Sequence, residues 1–299
     1  LYITEVKRIG GLFIVFLCAF TTAHTQDIHF TQWMHAPHTY NPAEIGNFTG
    51  DHRFHVNYRN QWSSVTVPFS TTDIMADSKA LTKNRNLGLA ANFLYDVTGD
   101  SKFTTTGISA GASYRFKFKG DSTGEISFGV QPSITQKKLD LSKLNFDNQF
   151  NGNFFDPNLP IGESLQRVSR WYFDVAIGAR IFYSFNRRNS IEIGVSGYNL
   201  LNPKQSFYND DNITLDSRLN SYFKWNHTVG KKVVIQPGLL YSKQGEFSSF
   251  NVGALLYYDL SESRFLTKKV FFGLYGRTKD SGDLLAGLIY DRWTFGGSY

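Results

Sequence analysis

Apolar and polar residues alternate along most of the chain with a period of two. In one segment Trp171, Ile177 and Ile181 share one side, whereas Asp174 and Arg180 fall on the other. Strands place successive side chains on opposite faces, and residues 171–185 keep this pattern well beyond the roughly five or six residues of a typical soluble strand. Crossing a bilayer at a tilt takes roughly nine to eleven residues. The pattern therefore predicts membrane-spanning β-strands.

Similar segments recur through the chain and predict one all-β domain over residues 51–299, a transmembrane antiparallel up-and-down β-barrel. About twelve strands are expected: 52–60, 70–77, 86–95, 104–118, 125–135, 170–185, 190–200, 217–228, 232–242, 247–259, 269–278 and 284–290. An aromatic content of 16% suits a lipid-facing surface and its interfacial girdles.

The predicted connections alternate between long and short. Residues 96–103, 136–169 and 202–216 are expected to form long connections, and residues 119–124, 186–189 and 229–231 tight turns. Outer-membrane barrels place short turns in the periplasm and longer loops outside the cell. With a periplasmic N-terminus, the long connections are expected to be external.

The N-terminal residues 1–25 have the composition of a secretory signal peptide. Lys7 and Arg8 precede an apolar stretch at 10–20, and the small residues Ala23 and Thr25 follow it at suitable cleavage positions. The alternative is a short membrane anchor, but eleven apolar residues are too few to span a bilayer. Cys18 is the only cysteine, so the mature chain is predicted to have no disulfide or thiol chemistry.

Residues 26–50 show no periodicity and are interpreted as a periplasmic or plug segment. Glycines at inward positions of the predicted strands would leave room for such a plug inside the barrel. These glycines are Gly107, Gly111, Gly129, Gly178, Gly194, Gly238, Gly253 and Gly273.

The inward face also carries charge. The inward residues are Arg53, Arg59, Asp73, Arg115, Asp174, Arg180, Glu192, Arg218, Lys224 and Arg277. Buried charges need partners or water, so one hypothesis is an interior ladder of paired charges. The alternative is a selective pore lined by arginine.

Catalytic and metal chemistry find little support in the residues. No local pattern marks an activated serine. His52 and His55 would face opposite sides of a strand, and no carboxylate cluster accompanies His35 and His38. We therefore predict no enzyme activity, no catalytic residues, no metal and no cofactor. The net charge of +6 is scattered among acidic residues, which disfavours nucleic-acid binding.

Three short motifs lie near the mature N-terminus: Gln26, Asp27, Phe30 and Gln32, then Asn41, Pro42 and Gly46, then Tyr58, Arg59, Gln61 and Trp62. These motifs resemble those of the PorP/SprF family, outer-membrane proteins of the type IX secretion system in Bacteroidetes. The resemblance implies a protein of the cell outer membrane that helps to deliver secreted proteins, including gliding adhesins, and holds them at the surface. Its implied partners are the C-terminal domain of the secreted cargo, other type IX components and outer-membrane lipid.

The resemblance also sets an expectation for the barrel edge. Family members usually have about fourteen strands, so this chain is expected to lack the final one or two and to leave an unpaired edge.

The connection at 136–169 is the largest and carries Phe146, Phe150, Phe154 and Phe155. Exposed aromatics of this kind anchor protein interfaces, so we predict a partner-binding loop. The alternative is that these rings pack onto the barrel mouth. Two other functions stay open from the sequence, an outer-membrane porin for small solutes and an outer-membrane hydrolase.

Overall fold

A computed structural model describes residues 27–64, 67–99, 101–118, 123–160, 162, 168–208, 210, 212–262, 266–278 and 280–299. The predicted signal peptide and Gln26 lie outside these residues. Within the described ranges, no helix is both long enough and apolar enough to cross a membrane.

The described residues form one sheet of thirteen antiparallel strands, in which each strand pairs with its neighbours in sequence. The strands are β1 His52–Gln61, β2 Phe69–Ser78, β3 Leu87–Thr98, β4 Phe103–Lys117, β5 Gly124–Lys138, β6 Ser169–Asn186, β7 Asn189–Tyr198, β8 Arg218–Val229, β9 Val233–Gln244, β10 Phe247–Asp259, β11 Lys268–Arg277, β12 Ser281–Tyr290 and β13 Trp293–Ser298. The all-β, up-and-down prediction is confirmed. The twelve predicted strands match β1 to β12 within three residues at either end, and β13 is a further strand.

The connections divide between two ends of the sheet. We call the end where the odd-numbered strands β1 to β11 finish the long-loop end, because it carries the loops at 139–168 and 199–217. The opposite, short-turn end carries the turns at 187–188 and 230–232. The prediction of a long connection at 96–103 is wrong. β3 and β4 stay paired as far as Thr98 and Phe103, which leaves only residues 99–102 between them.

The two faces of the strands differ as the alternation predicts. On β6, Trp171, Ile177 and Ile181 are exposed on the outer face, whereas Asp174 and Arg180 are buried on the inner face. An apolar exterior and a polar interior are typical of an outer-membrane barrel.

The sheet curves around the chain that precedes it. We call residues 27–51 the lumen segment, because it contacts both edge strands from the inside. Arg53 of β1 donates from Nη2 to the Glu44 carbonyl oxygen at 3.2 Å. At the other edge, a Cβ on Gly296 of β13 would lie 2.9 Å from Oε1 of Gln32. β1 and β13 are not paired with each other in the described chain, so the expected unpaired edge is present.

Candidate functional site

The lumen segment crosses the interior from one end of the sheet to the other. At the long-loop end, the Asp27 amide donates to Oε1 of Gln244 at 2.9 Å, and Nδ2 of Asn199 donates to Asp27 at 2.7 Å. At the short-turn end, the Asp51 carbonyl oxygen accepts from the Lys79 amide at 3.2 Å. The segment therefore begins at the long-loop end and reaches the short-turn end only where β1 starts.

Three short 3₁₀ turns make the lumen segment compact: Trp33–His35, Pro37–Thr39 and Pro42–Glu44. Proline begins the last two, where its fixed φ suits the first residue of a helical turn. Asn41 caps the third turn, accepting from the Ala43 amide at 2.8 Å. The other half of its amide group donates to the Ala179 carbonyl of β6 at 3.0 Å. One side chain thus both shapes the turn and attaches it to the wall.

Glycines on the inner face of the strands leave the space that the lumen segment occupies. A Cβ on Gly129 would overlap the Pro42 carbonyl, and a Cβ on Gly178 would overlap the Asn41 side chain. Gly111 faces the Ile45 side chain with equally little space. Any larger residue at these positions would push the lumen segment away from the wall, because protein interiors are close-packed.

The carboxylate of Glu44 joins the lumen segment to an ion-pair network on the wall. It lies 3.1 Å from Nζ of Lys224 and 3.4 Å from Nε of Arg180. Arg180 in turn contacts Glu125 at 2.8 Å and Glu192 at 2.7 Å. These contacts support the hypothesis of an interior charge ladder and not that of an arginine-lined pore, since the arginine at its centre is paired on several sides.

The hydroxyl of Tyr222 adds a neutral partner to this network. It donates to Oε1 of Glu44 at 2.6 Å, and the Tyr40 hydroxyl lies 3.2 Å from the same oxygen. The buried carboxylate therefore has both charged and uncharged hydrogen-bond partners, which a buried ion needs to offset its desolvation.

A second set of contacts fixes the lumen segment to β2. His38 lies 3.1 Å from Oδ2 of Asp73, and the Gly46 amide donates to Oδ2 of Asp77 at 2.8 Å. Asp77 also accepts from Arg53 at 2.7 and 2.8 Å. Two of the predicted inward charges, Arg53 and Asp73, thus serve to hold the segment in place.

Aromatic packing fills the lumen near the segment's first turn. The Trp33 ring meets Tyr40 at 5.1 Å and Tyr275 at 6.4 Å, both edge to face. Trp33 also belongs to a buried cluster with Leu255 and Phe271. Large buried rings contribute several kcal/mol each when they are well packed, so the lumen segment is part of the hydrophobic core.

The motif residues separate into two groups. The residues that lie in or face the lumen are Asp27, Phe30, Gln32, Asn41, Pro42, Gly46 and Arg59. Those on the last part of β1 and just beyond it are Tyr58, Gln61 and Trp62. Tyr58 and Trp62 are exposed, and Trp62 packs edge to face on Phe69 at 4.6 Å. The first two motifs therefore build the plug, and the third lies at the long-loop end of β1.

Sequence reasoning did not identify Glu44 or Tyr40 as part of the interior network. The available signal was Asn41-Pro42, a cap followed by proline, which indicates a helical turn and so a fixed direction for the next side chains.

The largest loop carries a small hairpin with exposed aromatic rings, formed by residues 149–156. Phe150 and Phe155 face each other in a two-residue antiparallel bridge. The exposed fractions of Phe150, Phe154 and Phe155 are 56%, 61% and 41%, whereas Phe146 is half-buried. Three of the four predicted rings therefore face solvent.

Polar side chains make this aromatic hairpin a defined structure. The Asn151 side-chain oxygen accepts from the Asn153 and Phe154 amides, both at 3.0 Å. Gln149 is buried, accepts from the Phe146 amide at 3.1 Å, and donates to the Pro157 carbonyl at 3.3 Å. These bonds reduce the entropy that the hairpin would lose on binding a partner.

The loop at 199–217 covers part of the lumen at the same end. The Leu201 amide donates to Asp174 at 3.1 Å, and Arg170 donates to the Lys204 carbonyl at 2.9 Å. Phe207 packs edge to face on Phe103 of β4 at 6.1 Å. This loop thus lies across the side of the mouth bounded by β4 to β7.

Metal chemistry has no visible centre in the part of the chain that is described. No group of three or more histidine, cysteine, aspartate or glutamate side chains lies close enough there to hold a metal ion. What the described site presents is a set of exposed rings at the rim and polar groups beneath it.

Comparison with known proteins finds a family model and several solved structures that match most of the chain. The family described as a type IX secretion system membrane protein, PorP/SprF, matches residues 22–299. Among solved structures, the chain is similar to the KdgM porin, with a TM-score of 0.37 and 12% identity over 83% of this chain and 97% of that chain. It is also similar to BamA from Haemophilus ducreyi lacking POTRA domains 1-3, with a TM-score of 0.36 and 11% identity over 83% and 64% of the two chains. No curated protein sequence matches significantly.

Proposed function

The chain belongs to the PorP/SprF family of type IX secretion system membrane proteins, and we propose that it binds secreted proteins, such as gliding adhesins, and anchors them at the cell surface. A membrane protein built as an antiparallel up-and-down barrel with an apolar exterior is an outer-membrane protein. Its proposed partners are the C-terminal domain of the cargo, other type IX components and outer-membrane lipid.

The exposed aromatic hairpin is the observation that carries this proposal. Phe150, Phe154 and Phe155 lie together at the long-loop end, on a backbone held by Gln149 and Asn151. Rigid, clustered aromatic rings are the side chains that contribute most to protein interfaces. The long-loop end is also the end that barrels of this kind turn toward the exterior.

The filled lumen favours binding over solute passage. The lumen segment runs between the two ends and is joined to the wall by Glu44, Asn41 and Trp33. A porin role would require this segment to leave its buried contacts. The proposal therefore assigns the protein a binding role and gives no residue a catalytic one.

The test is a comparison of surface proteins in cells that carry the wild-type chain or a variant. Replacing Phe150, Phe154 and Phe155 by Ser removes the rings and keeps the loop length. We expect at least one large adhesin to leave the shaved surface and to accumulate inside the cell or in the medium, as measured by mass spectrometry.

Asn153→Ser is the matched control, because Asn153 lies on the same hairpin and uses its backbone amide, and not its side chain, in the turn. It should leave the surface proteins unchanged. An unchanged surface in the triple variant, with the barrel present at normal levels, would overturn the proposal.

A further inference from the structure

A small cleft opens beside the start of the lumen segment. It has a volume of about 60 Å³, and its lining includes Ile28 and Phe30 from the segment and Arg218, Asn220, Asn251 and Arg277 from the strands. The adjoining turns at the long-loop end are short, at 245–246 and 278–280. Among the described residues, this side of the mouth has no cover like the loop at 199–217.

The side chain of Asn251 is buried in this cleft and has no hydrogen-bond partner in the part of the chain that is described. It is 3% exposed, and neither its Nδ2 donor nor its Oδ1 acceptor makes a hydrogen bond. An unsatisfied buried polar group costs roughly 1–3 kcal/mol of folding free energy. Its cross-strand neighbours, Leu240 of β9 and Arg277 of β11, give this amide no hydrogen bond.

A second unused donor lies in the same cleft. Nε of Arg218 is buried and has no hydrogen-bond partner, although its Nη2 donates to the Thr39 carbonyl at 3.1 Å. Asn220, by contrast, is satisfied, since it donates to the Tyr40 carbonyl and accepts from Ser242. Nε1 of Trp33, which also lines the cleft, has no partner either, so the free groups among the described lining residues are three donor atoms and one acceptor atom.

Two arginines line the cleft. Arg218 lies 3.6 Å from the Asp27 carboxylate, and Arg277 forms an ion pair with Asp280 at 3.0 Å. Arg277 is the direct cross-strand neighbour of Asn251. This volume is several times the roughly 10–15 Å³ that a single water needs, so the cleft has room for a small polar group such as a carboxylate with an adjoining amide.

We propose that this cleft binds the C-terminal residue of a polypeptide. The terminal carboxylate accepts from Nε of Arg218 and Nδ2 of Asn251, and the amide of the same residue donates to Oδ1 of Asn251. Capture of a chain end by a carboxylate site is a known mode of peptide recognition. The inference rests on the proposed function, because the chain end is that of the secreted protein held at this rim.

The test uses the purified full-length protein in detergent micelles and measures binding by calorimetry. The probe is N-acetylglycylglycine, compared with its C-terminal amide and with acetate. We expect saturable binding of the free acid, with at least tenfold weaker binding of the amide and of acetate.

Variants assign the binding to the cleft. Asn251→Leu should weaken the free acid at least tenfold and yet raise the unfolding temperature, because it removes an unsatisfied polar group. Asn251→Asp, which keeps the shape and repels a carboxylate, should weaken it as well, and it covers the case in which the leucine variant fails to fold. Ser248→Ala, an exposed site on the same strand, is the control and should bind as the wild type does.

Four results would overturn the inference. The first is no saturable binding of N-acetylglycylglycine, which would mean that the cleft holds ordered water only. The others are equal binding of the free acid and its amide, equal binding of the free acid and acetate, and unchanged binding of the free acid in both Asn251 variants. None of them bears on the aromatic hairpin, whose cellular test uses other residues. Conversely, an unchanged cell surface in the phenylalanine variant would leave peptide binding in the cleft intact.

Discussion

The backbones of Gly46 and Gly88 meet without room for a side chain on either residue. A Cβ on Gly46 would lie 2.8 Å from Cα of Gly88, and a Cβ on Gly88 would lie 2.7 Å from the Ile45 carbonyl oxygen. Gly46 also has a φ of +73°, in the left-handed region. The end of the lumen segment therefore lies directly against β3.

Gly46→Ala is expected to destabilise the barrel by roughly 2–3 kcal/mol, because it adds both a steric overlap and an unfavourable φ. The measurement is the temperature at which the folded, fast-migrating band is lost in detergent gels. Gly50→Ala is the matched control, since Gly50 has a φ of +108° and no atom within 4 Å of the position that a Cβ would occupy. Equal losses in the two variants would mean that contact with Gly88 contributes nothing.

Glu44→Gln is expected to destabilise the folded state by about 3 kcal/mol, because removal of one buried carboxylate leaves two buried cations with less compensating charge. Lys224 and Arg180 keep Glu192 as a partner, and Arg180 keeps Glu125. The amide can still accept from Tyr222, so the loss reports on the ion pairs that Glu44 itself makes with Lys224 and Arg180. Thermal unfolding in detergent measures it. Glu262→Gln, at an exposed position, is the control and should leave the unfolding temperature unchanged. An equally small change in Glu44→Gln would contradict the hypothesis of an interior ladder of paired charges.

The direction of the lumen segment predicts from which side of the outer membrane a reagent can reach each of its two ends. In a Cys18→Ser background, Ile28→Cys should react with a membrane-impermeant maleimide added to whole cells. Thr49→Cys should react only after the outer membrane is permeabilised, because residue 49 lies near the short-turn end. The opposite labelling pattern would show that the long-loop end faces the periplasm.

His29, in the lumen segment near the long-loop end, predicts that the stability of the fold depends on pH. Burial, followed by Arg277 and Arg59, lowers the pKa of His29 from 6.5 to about 3. Because the folded-state pKa lies below the unfolded value, the contribution of neutral His29 to stability is complete above pH 6.5 and declines as the pH falls toward 3. A hydrogen bond with the Asp27 backbone acts in the opposite direction and limits this lowering of the pKa.

We therefore expect the wild-type unfolding temperature to fall more between about pH 7.5 and 4.5 than that of His29→Gln, by a few degrees. Thermal unfolding at both pH values measures the difference, and the other titrating groups cancel in the comparison. Identical pH dependence in the two proteins would exclude His29 as a contributor.

Much of the wall can be predicted locally. The alternation on β6 predicts Trp171 outside and Arg180 inside, and the structure confirms both positions. The prediction for residues 96–103 is wrong because Asp96 and Gly99 look like loop residues, whereas pairing with β4 extends β3 to Thr98. Cross-strand hydrogen bonds override the local turn signal there.

Each strand by itself shows the period-two alternation, the inward glycines and the inward charges. The amino-acid order alone is therefore sufficient to specify a barrel wall whose interior is polar and has space for a further segment. The partners across that interior are not local. Glu44 meets Lys224 at 3.1 Å although 180 positions separate them, and Asp27 reaches the long-loop end because the sheet curls around the segment. Such contacts join residues that are far apart in the sequence, and they form only when the whole fold brings these residues together. No short-range pattern specifies which of the many inward charges will form an ion pair.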